Sequence, residues 1–314
     1  MEKDQKIIIT GAAGLVGQNL VTLLLDLGYT NIVALDKNQN NLEILSNLHP
    51  EVTAITANLS DPGPWDTHFQ GASRLFLLHA QITGSTWEEF SYNTLDSTRL
   101  VLQAAKQSQI PFTIFVGSSV IHSVKSDNYS RSKQEQEQMT LDSKLPSCVL
   151  RPTLLFGWFD PKHLGWLSRF MEKYPIFPIP GHGNYLRQPL YVRDFCRALI
   201  WCMENTPQGK AYDLTGSENV TYLEIIKTIK KIKKLKTLII KLPCGLFRFL
   251  MKFYSIFSKH PPFVADQLDS LIAGDFFTGD SFLENFGFTT TPFYEAMAET
   301  LTKKPYSSVT LKRS

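Results

Sequence analysis

Two side chains four residues apart have the types and the spacing for acid–base chemistry. Tyr129 and Lys133 lie at positions i and i+4 of Tyr-Ser-Arg-Ser-Lys, so in a helix they share one face. A free tyrosine has a pKa of about 10, and a nearby ammonium lowers it by stabilising the phenolate. The pair could take a proton from a substrate hydroxyl or return one to a ketone. The alternative is a chance pair, because Tyr and Lys occur four apart on many helices.

The elements expected around this pair favour the chemical interpretation. A strand predicted at Phe112–Val116 ends in Gly117-Ser118-Ser119, which puts two hydroxyls at its carboxyl end. The pair itself opens the next helix, predicted at Tyr129–Leu141. In the alternative interpretation the serines only cap a turn.

A glycine-rich turn follows the first predicted strand, Lys6–Thr10. It reads Gly-Ala-Ala-Gly-Leu-Val-Gly, and Leu15–Leu27 then repeats apolar residues at helical spacing. Glycines let backbone N–H groups and a helix N-terminus approach a pyrophosphate, although they also form tight turns without a ligand. The loop residues predicted to bind a dinucleotide are Gly11, Ala13, Gly14, Leu15, Val16 and Gly17.

An acidic residue closes the second predicted strand, Asn31–Leu35. Asp36 lies 19 residues beyond Gly17, where a carboxylate can accept hydrogen bonds from an adenosine ribose. Because a carboxylate repels a 2′-phosphate, NAD is predicted in preference to NADP. The adjacent Lys37, also a predicted cofactor contact, argues in the other direction.

Apolar strands alternate with helices over the first half of the chain. This pattern predicts an α/β fold, a doubly wound parallel sheet with helices on both faces. We predict a nucleotide-binding domain over 1–160, to which 187–216 returns, and a smaller, mainly substrate-binding region over 161–314. The further elements expected are strands at Val52–Thr56, Arg74–Leu78 and Cys148–Leu150 and a helix at Glu88–Ser108.

The Gly-x-x-Gly-x-x-Gly loop and the Tyr-x-x-x-Lys pair together resemble the extended short-chain dehydrogenases/reductases, in their NAD-dependent epimerase/dehydratase branch. The resemblance implies a Rossmann fold and a catalytic set of Ser118, Tyr129 and Lys133, with Lys133 also holding the nicotinamide ribose. Ser118 would hydrogen-bond the reacting oxygen, and Ser119 takes that role if the register is off by one, so both are predicted to bind substrate. Further cofactor contacts implied are Asn58, Leu59, His79, Ala80, Gln81 and Pro152.

Other segments extend the resemblance and mark its departures. Asn93 and Thr98 resemble the family's Asn-x-x-x-x-Thr helix, in which the asparagine is structural, and Thr221 is expected to cap a helix. Asn58 stands where an acidic residue often precedes the adenine site, and Gln81 where a small residue is usual. The second departure bears on the substrate pocket.

Arg187 is the candidate contact for a charged substrate. The preceding segment, Gly181-His182-Gly183-Asn184, resembles the loop that contacts the nucleotide and phosphates in sugar-nucleotide enzymes of the family. A guanidinium suits that task, whereas the alternative is an ion pair with a surface carboxylate. The leading prediction is therefore an NAD-dependent epimerase or reductase that acts on a nucleotide-linked sugar, with dehydration the least favoured reaction.

Two other functions stay open at this point. The apolar stretches Trp158-Phe159 and Phe247–Phe257 could line a pocket for a steroid or flavonol, which would make the protein a hydroxysteroid- or flavonol-like dehydrogenase. A protein that senses NAD(P) or serves in an assembly could keep the same fold without turnover.

Composition excludes several classes of protein. The formal charge of +3 does not call for a nucleic acid partner, and no run of 18 uncharged apolar residues suggests a spanning helix. With no signal peptide recognised at the N-terminus, we expect a cytoplasmic protein, and the resemblance implies a homodimer. No metal site is predicted, because Cys148, Cys196, Cys202 and Cys244 lack metal-ligand spacing and are expected to be buried thiols.

The C-terminal third holds a basic segment and a predicted loose tail. Between Glu224 and Lys241 isoleucines alternate with lysines at helical spacing, which indicates a core-facing helix with a solvated lysine face. Together with the apolar residues from Leu246 to Phe257, these lysines could instead dock on an anionic membrane, a minority hypothesis. The residues from Lys303 to Ser314 are expected to be loose.

Overall fold

A seven-stranded sheet forms the centre of the protein. The computed structural model describes residues 1–122, 127–257 and 278–312, and within helix 244–257 the side chains up to Met251. In chain order the strands are β1 Lys6–Thr10, β2 Ile32–Asp36, β3 Thr53–Thr56, β4 Ala72–Leu77, β5 Thr113–Val116, β6 Ser147–Pro152, β7 Leu155–Phe156, β8 Ile176–Pro180, β9 Leu186–Arg187, β10 Leu190–Tyr191, β11 Ala211–Leu214, β12 Val220–Thr221 and β13 Leu238–Leu242.

The central sheet has the order β11-β6-β5-β4-β1-β2-β3, and its strands pair in parallel. Strands covered on both faces are apolar along their whole length, and Ile7, Ile8 and Ile9 of β1 are fully buried. The direction of winding reverses between β1 and β4, so a crevice for a ligand is expected at their carboxyl ends. The prediction of a doubly wound α/β fold is confirmed.

Helices cover the sheet and build the C-terminal region. They are α1 Leu15–Asp26, α2 Gln39–Leu48, α3 Trp87–Phe90, α4 Ser97–Gln107, α5 Asn128–Asp142, α6 His163–Lys173, α7 Val192–Asn205, α8 Tyr222–Ile232 and α9 Cys244–Phe257, followed by Phe282–Phe286 and Phe293–Thr302. None of the helices within the described ranges is both long enough and apolar enough to cross a bilayer.

The predicted helix Glu88–Ser108 contains a change of winding. Between α3 and α4 the residues Ser91–Asp96 form a π-helical turn, a feature that often occurs at functional sites. Asn93 lies in this turn, where its amide nitrogen donates to the carbonyl of Glu89 at 2.9 Å. The structural role predicted for Asn93 therefore has a specific form, the support of an irregular helical turn.

The basic segment is only partly helical. Ile225, Ile226 and Ile229 are buried along α8, and Thr221 caps this helix as predicted, in a reciprocal pair with Glu224. The helix ends at Ile232, however, and β13 begins at Leu238. The sequence does not show where the helix ends and the strand begins, because the apolar run Leu238-Ile239-Ile240 fits either element.

The C-terminal residues are attached to the nucleotide-binding side, so the prediction of a loose tail is wrong over the described part. Asn41 of α2 accepts from the backbone N–H of Lys312 at 2.8 Å and donates to its carbonyl at 3.0 Å. Leu311 packs with Trp158 and Phe159 in a separate apolar cluster. The two aromatics are thus buried by the protein itself and do not line a substrate pocket.

The four cysteines are free thiols, of which Cys148, Cys196 and Cys202 are buried as predicted. Cys244 is only half-buried, because it begins α9 at the surface, and there its sulfur lies 3.5 Å from the phenol oxygen of Tyr185. In the described part of the chain no cluster of His, Cys, Asp or Glu side chains has the arrangement of a metal site.

Candidate active site

The glycine loop closes tightly against the end of β4. Gly11 has a φ of +71°, and a Cβ at this position would lie 2.7 Å from the backbone nitrogen of His79. A Cβ at Gly17 would overlap the backbone of Ala12, whereas Gly14 is the N-cap of α1. Leu15 and Val16 form the first turn of that helix, where backbone N–H groups have no acceptor within the helix. The loop thus has the form of an anion-binding cradle.

Asp36 holds this cradle in place. One carboxylate oxygen accepts from the backbone N–H of Ala13 at 3.0 Å, and the other accepts from Asn38 at 2.8 Å. Burial raises the pKa of Asp36, and the two backbone hydrogen bonds oppose that rise. The sequence predicted a ribose contact here, and the structure adds a second role as the link between β2 and the glycine loop.

Lys37 bridges from β2 to the π-helical turn. Its ammonium donates to the side-chain carbonyl of Asn93 at 2.6 Å. Burial lowers the pKa of Lys37, and the charge of Asp36 opposes this. The cation that argued for NADP is therefore used in an internal contact.

The predicted adenine-side residues lie near Tyr92 of the same turn. Asn58 is exposed, and its amide donates to Asp61 at 2.6 Å and to the phenol oxygen of Tyr92 at 3.0 Å. Leu59 is buried beside it. The amide at position 58 thus takes part in a local polar cluster with the acidic residue three positions later.

The segment after β4 turns back on itself. The backbone N–H of Gln81 donates to Thr94 at 2.9 Å, and its side-chain amide donates to the carbonyl of Thr83. Ala80, between His79 and Gln81, is half-buried. The side chain and the backbone of Gln81 therefore help to fix the conformation of the loop that follows β4.

The three residues predicted to be catalytic converge at the carboxyl end of β5. Ser118 is buried just beyond this strand, close enough to the phenol of Tyr129 to influence the pKa of that group. Burial raises the pKa of Tyr129, the contact with Ser118 lowers it, and the charge of Asp127 raises it. Ser119 is also buried but begins a short 3₁₀ helix, Ser119–His122.

Lys133 lies one turn further along α5 and is only 2% exposed. Its ammonium donates to the carbonyl of Val116 at 2.8 Å and to the side-chain oxygen of Gln136 at 2.5 Å. Burial lowers the pKa of Lys133 to about 7, although the charge of Glu137 opposes this shift. A buried amine of this kind is typical of functional sites.

A buried polar network, which is not predicted from the sequence, extends from Lys133 to β1. The amide nitrogen of Gln136 donates to the carbonyl of His79 at 3.0 Å and to Thr98 at 2.9 Å. The ring of His79 lies 3.2 Å from Thr98 and 2.9 Å from the hydroxyl of Thr10. Burial, and then the charges of Lys133 and Lys37, lower the pKa of His79 to about 3, so its ring is neutral. The sequence offers only the position of Gln136, one turn beyond Lys133 on the buried face of α5, and this does not by itself distinguish it from the other glutamines of that helix.

An ion-pair cluster lies beside Gly117, the residue that precedes Ser118. Arg151 on β6 contacts Glu137 at 2.6 Å and Asp213 of β11 at 3.3 Å. A Cβ at Gly117 would lie 2.9 Å from the side chain of Arg151, so only glycine fits there. Pro152 is buried at the end of β6.

Arg187 is buried on the C-terminal side, with 8% of its surface exposed. It lies on β9, which pairs antiparallel with β12, and its charge acts to lower the pKa of Tyr222, which burial raises more strongly. The guanidinium is thus an interior group.

Comparisons with known proteins agree with this geometry. A mouse sterol-4-alpha-carboxylate 3-dehydrogenase (decarboxylating) is 22% identical over 257 residues, 73% of this chain and 69% of the relative. A mitochondrial NADH dehydrogenase (ubiquinone) 1 alpha subcomplex subunit 9 of Arabidopsis thaliana is 22% identical over 249 residues, which are 75% of this chain and only 60% of the plant protein.

Solved structures show the same fold. A UDP-glucose 4-epimerase of Thermotoga maritima with UDP-glucose superposes with a TM-score of 0.74 at 17% identity, covering 95% of this chain and 97% of the epimerase. The Bordetella bronchiseptica enzyme WbmF in complex with NAD+ superposes with a TM-score of 0.73 at 17% identity, covering 95% and 92% of the two chains.

The family itself follows from the sequence match across the sheet and the site. The model of the NAD dependent epimerase/dehydratase family matches residues 7–215, from β1 to just beyond β11. That span includes the glycine loop, Asp36 and the Tyr129–Lys133 pair. The protein belongs to the NAD dependent epimerase/dehydratase family and is an NAD-dependent enzyme of the oxidoreductase and epimerase type.

Proposed function

We propose that this protein is an NAD-dependent epimerase or reductase that acts on a nucleotide-linked sugar, with Tyr129 as its acid–base group. The observation that carries the proposal is the position of Tyr129 and Lys133 on one helix at the carboxyl end of β5, where the contacts of Lys133 and Gln136 lead to His79 beside the glycine loop. A reactive hydroxyl next to a dinucleotide site is the arrangement that hydride chemistry needs.

The residues present fit NAD. A Cβ at Gly11 would overlap the backbone of His79 and one at Gly17 the backbone of Ala12, so the tight path of this loop at the N-terminus of α1 requires glycine. Backbone N–H groups at such a helix N-terminus bind a pyrophosphate. Asp36 would accept from the adenosine ribose, and Lys133 would donate to the nicotinamide ribose. An ammonium has three donors, and Val116 and Gln136 accept two of them, so the third is available for this task. NAD, when bound, accepts a hydride and can return it.

The chain's own residues would move the proton. Ser118 would hold the reacting oxygen while Tyr129 takes or returns its proton. The ammonium of Lys133 stabilises the phenolate by its charge, which counters the rise in pKa that burial causes at Tyr129. The buried network through Gln136 keeps that ammonium at a fixed position between β5 and α5.

Arg187 supports a phosphate-bearing substrate. A buried guanidinium near Tyr222 can bind a diphosphate with two parallel hydrogen bonds. We place substrate binding mainly in 161–314 and cofactor binding in 1–160, with 187–216 returning to it. The pairing of β11 with β6 supports that division.

One experiment tests the function and its alternatives. Purified protein is titrated with NAD(H) and NADP(H), then mixed with pooled nucleotide sugars and hydroxysteroids while nicotinamide absorbance and product mass are followed. Turnover of a nucleotide sugar supports the proposal. Turnover of steroids alone would replace it with the dehydrogenase alternative, which the similarity to the mouse sterol dehydrogenase favours. Cofactor binding without any turnover would favour the sensing or assembly alternative, and one similar protein is named as a subunit of an NADH dehydrogenase.

A glycine substitution tests the cofactor cradle. We expect Gly11→Ala to weaken NAD binding by roughly tenfold or more, because the new Cβ overlaps His79 and overpacking costs about 1–3 kcal/mol. Gly28→Ala is the matched control, since Gly28 has a similar φ of +83° but open space around it. Isothermal titration with NAD measures both variants. Equal affinities would show that the clash at Gly11 does not shape the site.

A second substitution tests the network around Lys133. In Gln136→Leu the ammonium loses an acceptor, so its pKa should fall below about 7. The alkaline limb of kcat/KM should then move to lower pH, and kcat should fall by about 10- to 100-fold because Lys133 is misplaced. Gln138→Leu is the control, because Gln138 is exposed on the same helix and its amide donates to Asp142. An unshifted pH profile would contradict a positioning role for Gln136.

A further inference from the structure

An apolar surface with a basic rim lies on the C-terminal side of the protein. Its first part is the outer face of the parallel ribbon formed by β8 and β13, where Leu238 pairs with Ile176. These two side chains are 59% and 47% exposed, and Ile240 on the same face is 36% exposed. Phe177 and Ile239, on the opposite face, pack into the core. We call this outer face, with the start of α9, the ribbon–helix surface.

Helix α9 adds a second apolar row. It begins two residues after β13, and Leu246, Phe249 and Leu250 lie at positions i, i+3 and i+4, so they share one side of the helix. They are 45%, 64% and 46% exposed. A helix normally turns such a row towards the core. Here the row faces outward, which marks an interaction surface.

The segment that contains β13 and the start of α9 is rich in cations. From 222 to 251 the chain carries eight basic residues and one carboxylate, Glu224, whereas the formal charge of the whole protein is only +3. The rest of the chain is therefore net acidic, and the positive charge is concentrated in this segment, in which Lys233 is paired with Glu172 of α6 at 2.7 Å. The eight are Lys227, Lys230, Lys231, Lys233, Lys234, Lys236, Lys241 and Arg248.

The surface is fixed to the folded body. The backbone N–H of Gly181 donates to Leu242 at 2.7 Å, and that of Leu238 donates to Pro175 at 2.7 Å. The hydroxyl of Thr237 donates to the carbonyl of Met171 in α6 at 2.8 Å. The exposed apolar row of the ribbon is thus held in a defined orientation.

We propose that the ribbon–helix surface docks on an anionic lipid bilayer, with its leucines, isoleucines and Phe249 inserted among the lipids and its lysines on the headgroups. Exposed aliphatic and aromatic side chains with a lysine rim are the composition that binds such interfaces. A second copy of this chain fits less well, because a two-fold contact through the surface would bring two strongly positive rims together.

The first test uses the full-length protein and sedimented vesicles. We expect binding to vesicles of phosphatidylcholine with phosphatidylglycerol, weak binding to phosphatidylcholine alone, and release at high salt, because salt screens the lysines. Protein that stays in the supernatant with anionic vesicles, or that binds both kinds equally, would overturn the proposal.

Apolar variants then locate the contact. Leu238→Glu with Leu246→Glu should reduce vesicle binding by about tenfold or more, because each change removes inserted apolar area and adds a repelled charge. The control is Leu283→Glu with Leu27→Glu, whose side chains are 58% and 47% exposed elsewhere on the protein. Equal losses in both pairs would overturn the assignment. NAD titration of every variant verifies that the cofactor site is intact.

Charge variants test the rim. Lys234→Glu with Lys236→Glu should weaken binding by on the order of fivefold or more per lysine, from about 1 kcal/mol for each. The control, Lys106→Glu with Lys210→Glu, changes exposed lysines outside the surface. Light scattering of the apolar variants gives the oligomeric state. If those substitutions dissociate a dimer and leave vesicle binding unchanged, the surface is a contact between two copies and the proposal fails.

Discussion

Replacing Tyr129 with phenylalanine is expected to reduce kcat by about 100- to 10,000-fold while leaving NAD affinity nearly unchanged. The substitution removes the proposed acid–base group, and general acid–base catalysis contributes about this factor. The aromatic ring remains, so the packing at the start of α5 is kept. Steady-state turnover on the substrate found in the pooled screen gives kcat, and titration calorimetry gives the affinity for NAD.

Two comparisons make this result specific to the chemistry. Tyr92→Phe removes another phenol near the proposed cofactor cleft, one that hydrogen-bonds Asp61 and Asn58, and it should lower kcat far less. Ser118→Ala should fall between the two, because the serine only orients the oxygen and supports the phenol. A Tyr129→Phe protein that keeps more than about a tenth of its turnover would exclude Tyr129 as the acid–base group.

The sequence predicted the sheet well because its signals are local. The strand Lys6–Thr10 and the end of β2 at Asp36 lie where the apolar runs and the glycines indicate. Errors occurred where a long-range contact decides the outcome. The residues near Lys312 carry no strong apolar pattern, yet they pair with Asn41, which is far away in the chain. Trp158 suggested a ligand pocket, but its partner is Tyr306 of the same chain.

In the candidate site, too, the local features could be predicted from the sequence and the long-range contacts could not. The spacing of Tyr129 and Lys133 is visible in one helix, and the structure adds Ser118, whose contact with Tyr129 lowers the pKa of the phenol. The partners of Lys133 could not be predicted, because Val116 contributes a backbone carbonyl and Gln136 is one of several glutamines on α5. Which glutamine faces inward depends on how α5 packs against the sheet, and no local pattern contains that information.

The buried ammonium of Lys133 is expected to make the protein less stable in acid than in mild base. Its pKa is about 7 in the folded protein and about 10.5 when unfolded. Between these values the unfolded chain binds more protons, so the free energy of unfolding rises with pH. Below pH 7 the cost of burying the charge is fully present. From pH 6 to pH 9 this one group should add about 3 kcal/mol of stability.

Lys133→Met isolates this contribution, because methionine has a similar length and no charge. The variant should lose turnover, as the proposed mechanism requires, yet should lack this part of the pH dependence. The free energy of unfolding of the variant, relative to that of the natural protein, should therefore be about 3 kcal/mol higher at pH 6 than at pH 9. The variant also loses the hydrogen bonds from Lys133 to the carbonyl of Val116 and the amide of Gln136. That loss lowers its stability at every pH and cancels in this comparison.

Urea unfolding of both proteins across this range measures the difference, with Lys106→Met, at an exposed site, as the control. Parallel pH curves for the natural protein and Lys133→Met would mean that Lys133 keeps its charge throughout, and the protein would then retain a cation for the phenolate well above neutral pH.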